Sequence, residues 1–198
     1  MRSGPRASAD VLLRAVREAE ALDAEIYATI AATPSPTLDE GMRRLSRAAD
    51  LSRLWGVTAC ALAVGGGSAG RRAAGHGVVA IGLASAVTNQ GLKRIHRRPR
   101  PDRARIDVPL ARHVPLPEST SFPSGHAASA FAFATAAGQA LPVAGGPLRV
   151  LAALVAYSRV HTGVHYPGDV VAGALVGSTT GGLVAALAAR RRRQRASR

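Results

Sequence analysis

The sequence predicts an all-α fold, a multi-pass membrane helical bundle of about five spans entered through an amphipathic N-terminal helical lead-in. Three observations carry that prediction. First, 47% of the 198 residues are hydrophobic but only 4% are aromatic, and 21 Gly with abundant Ala stand where a soluble core would use bulky side chains. Small apolar residues suit close helix packing in lipid. Second, the apolar residues gather into charge-free runs at 54–70, 73–92, 127–148 and 170–189, of 17, 20, 22 and 20 residues. A spanning helix needs about 20. Third, Lys plus Arg is 26 against 12 Asp plus Glu, a net charge of +14, and many of these basic residues lie between or after the apolar runs. A shorter run, 150–158, spans only by taking in Arg159 and its successors, which then lie at a membrane surface or in a polar cavity. A soluble Ala-rich helical protein is the competing reading, because Gly65-Gly66-Gly67 and Thr179-Thr180-Gly181-Gly182 are weak helix formers.

Three regions follow: residues 1–50 as amphipathic N-terminal helices, 51–189 as the membrane domain and 190–198 as a basic tail. Across 11–32, Leu12, Val16, Ala19, Leu22, Ile26 and Ile30 recur every three to four residues, the spacing of an amphipathic helix with Asp10 as its cap. Thr33-Pro34-Ser35-Pro36 breaks the chain. Thr37 and Glu40 then have capping-box spacing for a second helix that runs toward Trp55 and into the first span, either as an interfacial lead-in or as a solvated helix face. The mixed-charge first 50 residues predict no cleavable signal peptide. Cys60, the single cysteine, sits in an apolar run and is expected to pack. Residues 93–123 hold one Lys, seven Arg and six Pro with almost no helical periodicity, the pattern of a loop. Tyr166-Pro167-Gly168 turns the chain before the last run. The tail carries six Arg in nine residues and reads as a cytoplasmic anchor beside anionic lipid. No nucleic-acid partner is expected, since no recognised module or aromatic stacking platform accompanies the charge.

Three polar clusters fall at span ends. In Lys93-Arg94-Ile95-His96-Arg97-Arg98-Pro99-Arg100-Pro101, Arg offers a planar fork and Lys a compact charge to a multiply charged anion; a juxtamembrane basic stretch reads the same way. In Ser121-Phe122-Pro123-Ser124-Gly125-His126, a helix entrance offers backbone N–H groups, a Ser124 hydroxyl and His126 as a proton donor, or simply a cap followed by an incidental His. In the third, His161, His165 and Asp169 stand four residues apart and would share a face of an unbroken helix as a metal site. Pro167-Gly168 argues for a turn instead, with Asp169 fixing the His165 tautomer and leaving Nε2 as a nucleophile, and Arg159 adding a cation.

Taken in order, Lys93, Arg100-Pro101, Pro123-Ser124-Gly125-His126, Ser158-Arg159, His165 and Asp169 resemble the type 2 phosphatidic acid phosphatase superfamily, which also contains vanadium haloperoxidases. All eleven specified positions match, over about residues 51–189. The lead-in is similar to the start of actinobacterial membrane lipid-phosphate phosphatases. The resemblance implies a helical membrane phosphohydrolase that uses no metal or other cofactor and acts on a lipid phosphate in the bilayer: phosphatidate, phosphatidylglycerol phosphate, a polyprenyl phosphate or diphosphate, or a decaprenylphosphoryl sugar phosphate. It implies that His165 attacks phosphorus to give a phosphohistidine, Asp169 orients it, and His126 protonates the leaving oxygen and later activates water. Lys93, Arg100 and Arg159, with Ser124 and the Gly125 N–H, would hold the phosphoryl oxygens. The spacing from Lys93 selects Arg100 over Arg97 and Arg98. His76, His96, His113 and His161 are left outside the catalytic set. A vanadate-dependent haloperoxidase-like enzyme and a non-enzymatic basic membrane protein are the alternatives. Alternation of spans puts the motif residues opposite Arg71, Arg72, Arg149 and the tail, so the positive-inside rule predicts an extracytoplasmic active site, although the basic 93–123 loop counts against it.

Overall fold

The computed structural model describes residues 5–197, which are helical and loop, with no strand among them. The Leu12 side chain and Arg198 lie outside the described residues. The chain forms α1 (Pro5–Ala32), α2 (Pro36–Ala48), a 3-10 turn (Asp50–Ser52), α3 (Arg53–Gly65), α4 (Gly67–Ser85), a π-helical segment (Ala86–Leu92), the short α5 (Lys93–Ile95), a second 3-10 turn (Leu110–Arg112), α6 (Gly125–Ala140), α7 (Pro142–His161) and α8 (Pro167–Ala196). The central helix is α6, packed against α4, α7 and α8, while α3 lies on α4 and α2 on α7.

Packing explains the composition. The buried side of α6 is Ala127, Ala128, Ala130, Ala132, Phe133 and Ala134, whereas larger residues such as Val64, Val79, Val143, Val150 and Leu175 face outward. Large apolar residues outside and alanine inside is the arrangement expected where the surroundings are lipid. Close approach depends on a stripe on α8: a methyl group at Gly173, Gly177 or Gly181 would run into the Ser124, Ala128 or Ala132 carbonyl oxygen of α6. Trp55 and Phe133, with ring centroids 5.2 Å apart, anchor α3 to the same core.

The five expected runs map onto α3, α4, α6, α7 and α8, but only α7 and α8 are long and apolar enough to cross a membrane by length and composition. At 13 and 16 residues, α3 and α6 reach about 20 and 24 Å against a hydrocarbon core of about 30 Å. Several local expectations are corrected. Helix α1 begins at Pro5, so Asp10 lies within it. Most of its apolar stripe lies off its packed face: Val16, Leu22 and Ile26 are exposed, Ile30 is half-buried against the core, and Asp23, Tyr27 and Ala31 are buried. Helix α2 starts at Pro36 with Ser35 at the N-cap position, so Thr37 lies inside it, the Ser35 hydroxyl donates to Asp39 and Glu40 pairs with Arg43 and Arg44. It does not run on into α3, since Leu51 (φ 53°) and Ser52 (φ 58°) reverse the backbone. Cys60 is exposed, because Trp55 and Ala59 define the inward face of α3. The basic tail continues α8 as helix to Ala196.

The 96–124 loop is fastened by its own arginines. Buried Arg112 donates to Asp39 (2.8 Å), to the carbonyls of Ile30, Ala31 and Thr33, and to the Ser35 hydroxyl. It thereby satisfies the orphan carbonyls at the end of α1. Arg103 donates to the carbonyls of Gly163 and Val114.

Candidate active site

The end of α5, the start of α6 and the α7–α8 turn converge at one end of the bundle, where Lys93, Arg100, Gly125, His126 and His165 line a pocket of about 280 Å³. The π-helical segment before Lys93 re-aims the last turns of the α4 rod, so that Asn89 and Lys93 both face this pocket.

His165 is buried in the turn that ends α7. Gly163, at φ 66°, allows the chain to double back so that the Val164 and His165 N–H groups both donate to the Arg159 carbonyl, at 3.0 and 3.1 Å. Asp169 sits in the first turn of α8, where its Oδ2 accepts from the Tyr166 N–H (2.9 Å) and the Ser121 hydroxyl and lies 3.4 Å from His165 Nδ1. That contact favours the Nδ1–H tautomer, in which Nε2 is unprotonated and accepts from Arg100 Nη1 at 3.3 Å. Burial pushes the His165 imidazole down to about 3, against the opposing hydrogen bond to Asp169 and with the Arg100 charge adding to the shift. The ring is therefore neutral at physiological pH.

His126, in the first turn of α6, lies across the pocket with Nε2 2.9 Å from Asp50 Oδ1. Asp50 belongs to the reversed turn between α2 and α3. The hydrogen bond from His126, and then the Arg159 charge, hold it below the usual carboxylate range despite partial burial. Arg159 is buried behind this pair, reaching Asp50 at 3.5 Å and Ser46 Oγ at 2.6 Å, and its Nε has no partner.

Lys93 donates to Ser119 Oγ (3.0 Å), and Arg100 donates to the carbonyls of Pro117, Ser119, Thr120 and Val164. Neither hydrogen-bonds a carboxylate among the described residues. Burial first, then the like charge of Arg100, pulls the Lys93 ammonium below its ordinary value, and burial does the same to Arg100. Two desolvated cations held only by neutral acceptors, oxygens and the His165 ring nitrogen, form a cradle for an anion.

Five of the eight expected site residues therefore line one pocket. Asp169 stands behind His165 and Arg159 behind His126. Ser124 is fully buried as the N-cap of α6, its Oγ accepting from Ala127 N at 3.4 Å, so its hydroxyl serves the helix and is turned from the pocket. His161 does not share a face with His165: its Nε2 is 2.9 Å from Asp39, beside Arg112. Among the described residues no three His, Cys, Asp or Glu side chains group as metal ligands. His96 stacks edge-on against Phe122, and His113 contacts the Val108 carbonyl.

Four neighbours of the site escaped the motif reading. Arg98 bridges Asp23 (2.6 Å) and Asp169 (3.0 Å), with its guanidinium 4.0 Å above the Tyr166 ring. Asp23 also accepts from the Gly168 N–H at the start of α8. Ser121 and Asp50 complete the set. Arg98 and Ser121 do stand inside the polar clusters at span ends, and on α1 Asp23, Tyr27 and Ala31 follow one another at helical spacing opposite the apolar stripe.

The fold and the site define an all-helical bundle with a cation-lined pocket at one end. The chain belongs to the PAP2 superfamily, whose family model matches residues 73–193. The decaprenylphosphoryl-5-phosphoribose phosphatase of Mycobacterium tuberculosis (strain CDC 1551 / Oshkosh) is 43% identical over 105 residues, which cover 52% of this chain and 55% of the relative. The chain thus spans about half the length of that relative. The enzyme of the same name from Mycolicibacterium smegmatis is 35% identical over 155 residues, 76% of this chain and 80% of the relative. Among solved structures, Aquifex aeolicus LpxE superposes with a TM-score of 0.66 at 29% identity, covering 82% of this chain and 94% of that one. A transmembrane PAP2 type phosphatidylglycerolphosphate phosphatase from Bacillus subtilis gives 0.66 at 23% identity, covers 87% of both chains and supports the fold alone.

Proposed function

We propose that this protein is a membrane lipid-phosphate phosphohydrolase working through a phosphohistidine, without a metal. The observation that supports it best is the placement of His165 Nε2, His126, Lys93 and Arg100 around one pocket, with Asp169 behind His165 Nδ1. A terminal phosphate enters with its oxygens toward Lys93, Arg100 and the backbone at Gly125, and Arg159 adds charge from behind. His165 Nε2 forms a bond to phosphorus as the ester P–O bond breaks, and the leaving oxygen takes a proton from His126. Asp169 stabilises the charge that develops on His165. Water then attacks phosphorus, His126 accepts its proton, and inorganic phosphate leaves as the N–P bond breaks. Residues 51–189 form the catalytic unit in this reading, and the 1–50 lead-in adds Asp23 and Asp50 to its support.

The substrate keeps its tail in lipid. The names of the relatives put decaprenylphosphoryl-5-phosphoribose first among the candidates, ahead of phosphatidylglycerol phosphate and phosphatidate. We place the pocket on the extracytoplasmic side and the Arg-rich tail in the cytoplasm. Within the basic loop, Arg98 and Arg112 are paired with carboxylates of the fold, which supports this reading by lowering the loop's free charge. Phosphate release from a panel of these lipids by detergent-solubilised protein, with chelator present, tests the proposal. Release should continue in chelator and be lost in His165→Ala while the melting temperature is kept. Undiminished release by that variant, or loss in chelator alone, would overturn it.

A further inference from the structure

The end of the bundle remote from His165 carries a second groove, of about 430 Å³, between the first half of α4 and the last turns of α8. Arg72 and His76 of α4 and Arg191, Arg192 and Arg195 of α8 supply its charge. Val79, Val184, Leu187 and Ala188 supply an apolar wall. Arg72 Nε and His76 Nδ1 are buried and have no hydrogen-bond partner. Among the described residues the surrounding helices offer no acidic side chain here: α3, α4, α6 and α7 contain no Asp or Glu, and the one in α8 is Asp169, at the opposite end. From Asp169 to Arg191 the helix rises about 33 Å at 1.5 Å per residue. That matches the roughly 30 Å hydrocarbon thickness of a bilayer, so the groove and the catalytic pocket fall at opposite headgroup planes.

We propose that this groove binds an anionic phospholipid of the leaflet opposite the catalytic pocket. Its phosphate lies among the guanidinium groups, and an acyl chain lies over Val79, Val184 and Leu187. Basic pockets between membrane helices suit such headgroups, and the planar fork of Arg suits their phosphate. The apolar wall selects a lipid over a soluble anion, because it opens onto outward-facing Val79 and Leu187, 60% and 48% exposed, where an acyl chain continues and a hydrophilic ion gains nothing. This site is independent of the phosphatase reading, since none of its residues lines the His165 pocket.

Native mass spectrometry of the full chain, released from micelles containing equal phosphatidylglycerol and phosphatidylcholine, tests it. The expected result is one retained phosphatidylglycerol, reduced about tenfold or more in R72Q/R192Q and less than about twofold in R190Q/R193Q, which removes the same charge outside the groove. Millimolar inorganic pyrophosphate should not displace the lipid. Equal losses in the two variants, equal retention of phosphatidylcholine, or displacement by pyrophosphate would each overturn the proposal. Should R72Q/R192Q fail to fold, R195Q against R193Q gives the same comparison at the exposed end of the groove.

Discussion

Asp50 shows how the chemistry of the pocket depends on residues distant in sequence. Its carboxylate holds His126 Nε2 and meets Arg159, yet it belongs to a turn outside every motif block. Asp50→Asn should therefore lower the rate of phosphate release by about 10- to 100-fold, less than the 10²- to 10⁴-fold expected for His126→Ala, with the melting temperature nearly unchanged. Partial rescue by Asp50→Glu would separate orientation of His126 from bulk stability. A second expectation concerns His165. With its folded-state value pushed down to about 3 and an unfolded value near 6.5, its ring stays neutral through the physiological range. Its contribution to stability is complete above about 6.5 and is lost as pH falls from there toward 3. Nitrogen-15 NMR of labelled histidines should show His165 neutral at pH 5, and a His165 signal titrating between 6 and 7 would contradict this. Lys93, Arg100, His126, His165 and Asp169 stand out in the sequence through the ordered motif blocks they share with a known family, and the structure brings the first four to one pocket with Asp169 behind His165. Asp23, Asp50 and Arg98 do not stand out in this way, because each acts through a contact across dozens of residues.

At the level of helices, the α6–α8 pair is set by Gly173, Gly177 and Gly181. The sequence announced small residues and close packing, but not which glycines face a partner. Gly177→Ala places a methyl against the Ala128 carbonyl and should destabilise the protein by about 1–3 kcal/mol. Gly182, one residue beyond the stripe, has open space around it, so Gly182→Ala should stabilise by up to about 1 kcal/mol through helix propensity. Thermal melting of the two purified variants reads the opposite signs. The lead-in helix makes the same point in reverse. Its periodic apolar stripe was read correctly as amphipathic, but the face that packs on the bundle is the one carrying Asp23 and Tyr27, because Arg98 and the Gly168 N–H offer that carboxylate strong partners.

Considered whole, the molecule has two polar ends separated by a girdle of outward Val and Leu. One end holds the anion cradle, and the other holds Arg71, Arg72, Arg149 and the arginines of α8. In a Cys60→Ser background, Ser197→Cys should react with a membrane-impermeant maleimide only after inverted vesicles or broken cells expose the cytoplasmic face. Ser119→Cys, beside Lys93, should react in intact cells. The reverse pattern would place the active site inside.

Composition, run lengths and motif spacing were sufficient for the helical class, for the PAP2 relationship and for most of the pocket, because hydrophobic burial in lipid and tight turns are written into neighbouring residues. Tertiary structure decided the rest: that Ser124 caps a helix, that His161 belongs to Asp39, that Arg112 closes the end of α1, and that carboxylates from the lead-in brace His126, Arg98 and the start of α8. Those outcomes depend on which desolvated charges meet across the bundle, and a linear chain does not record that geometry.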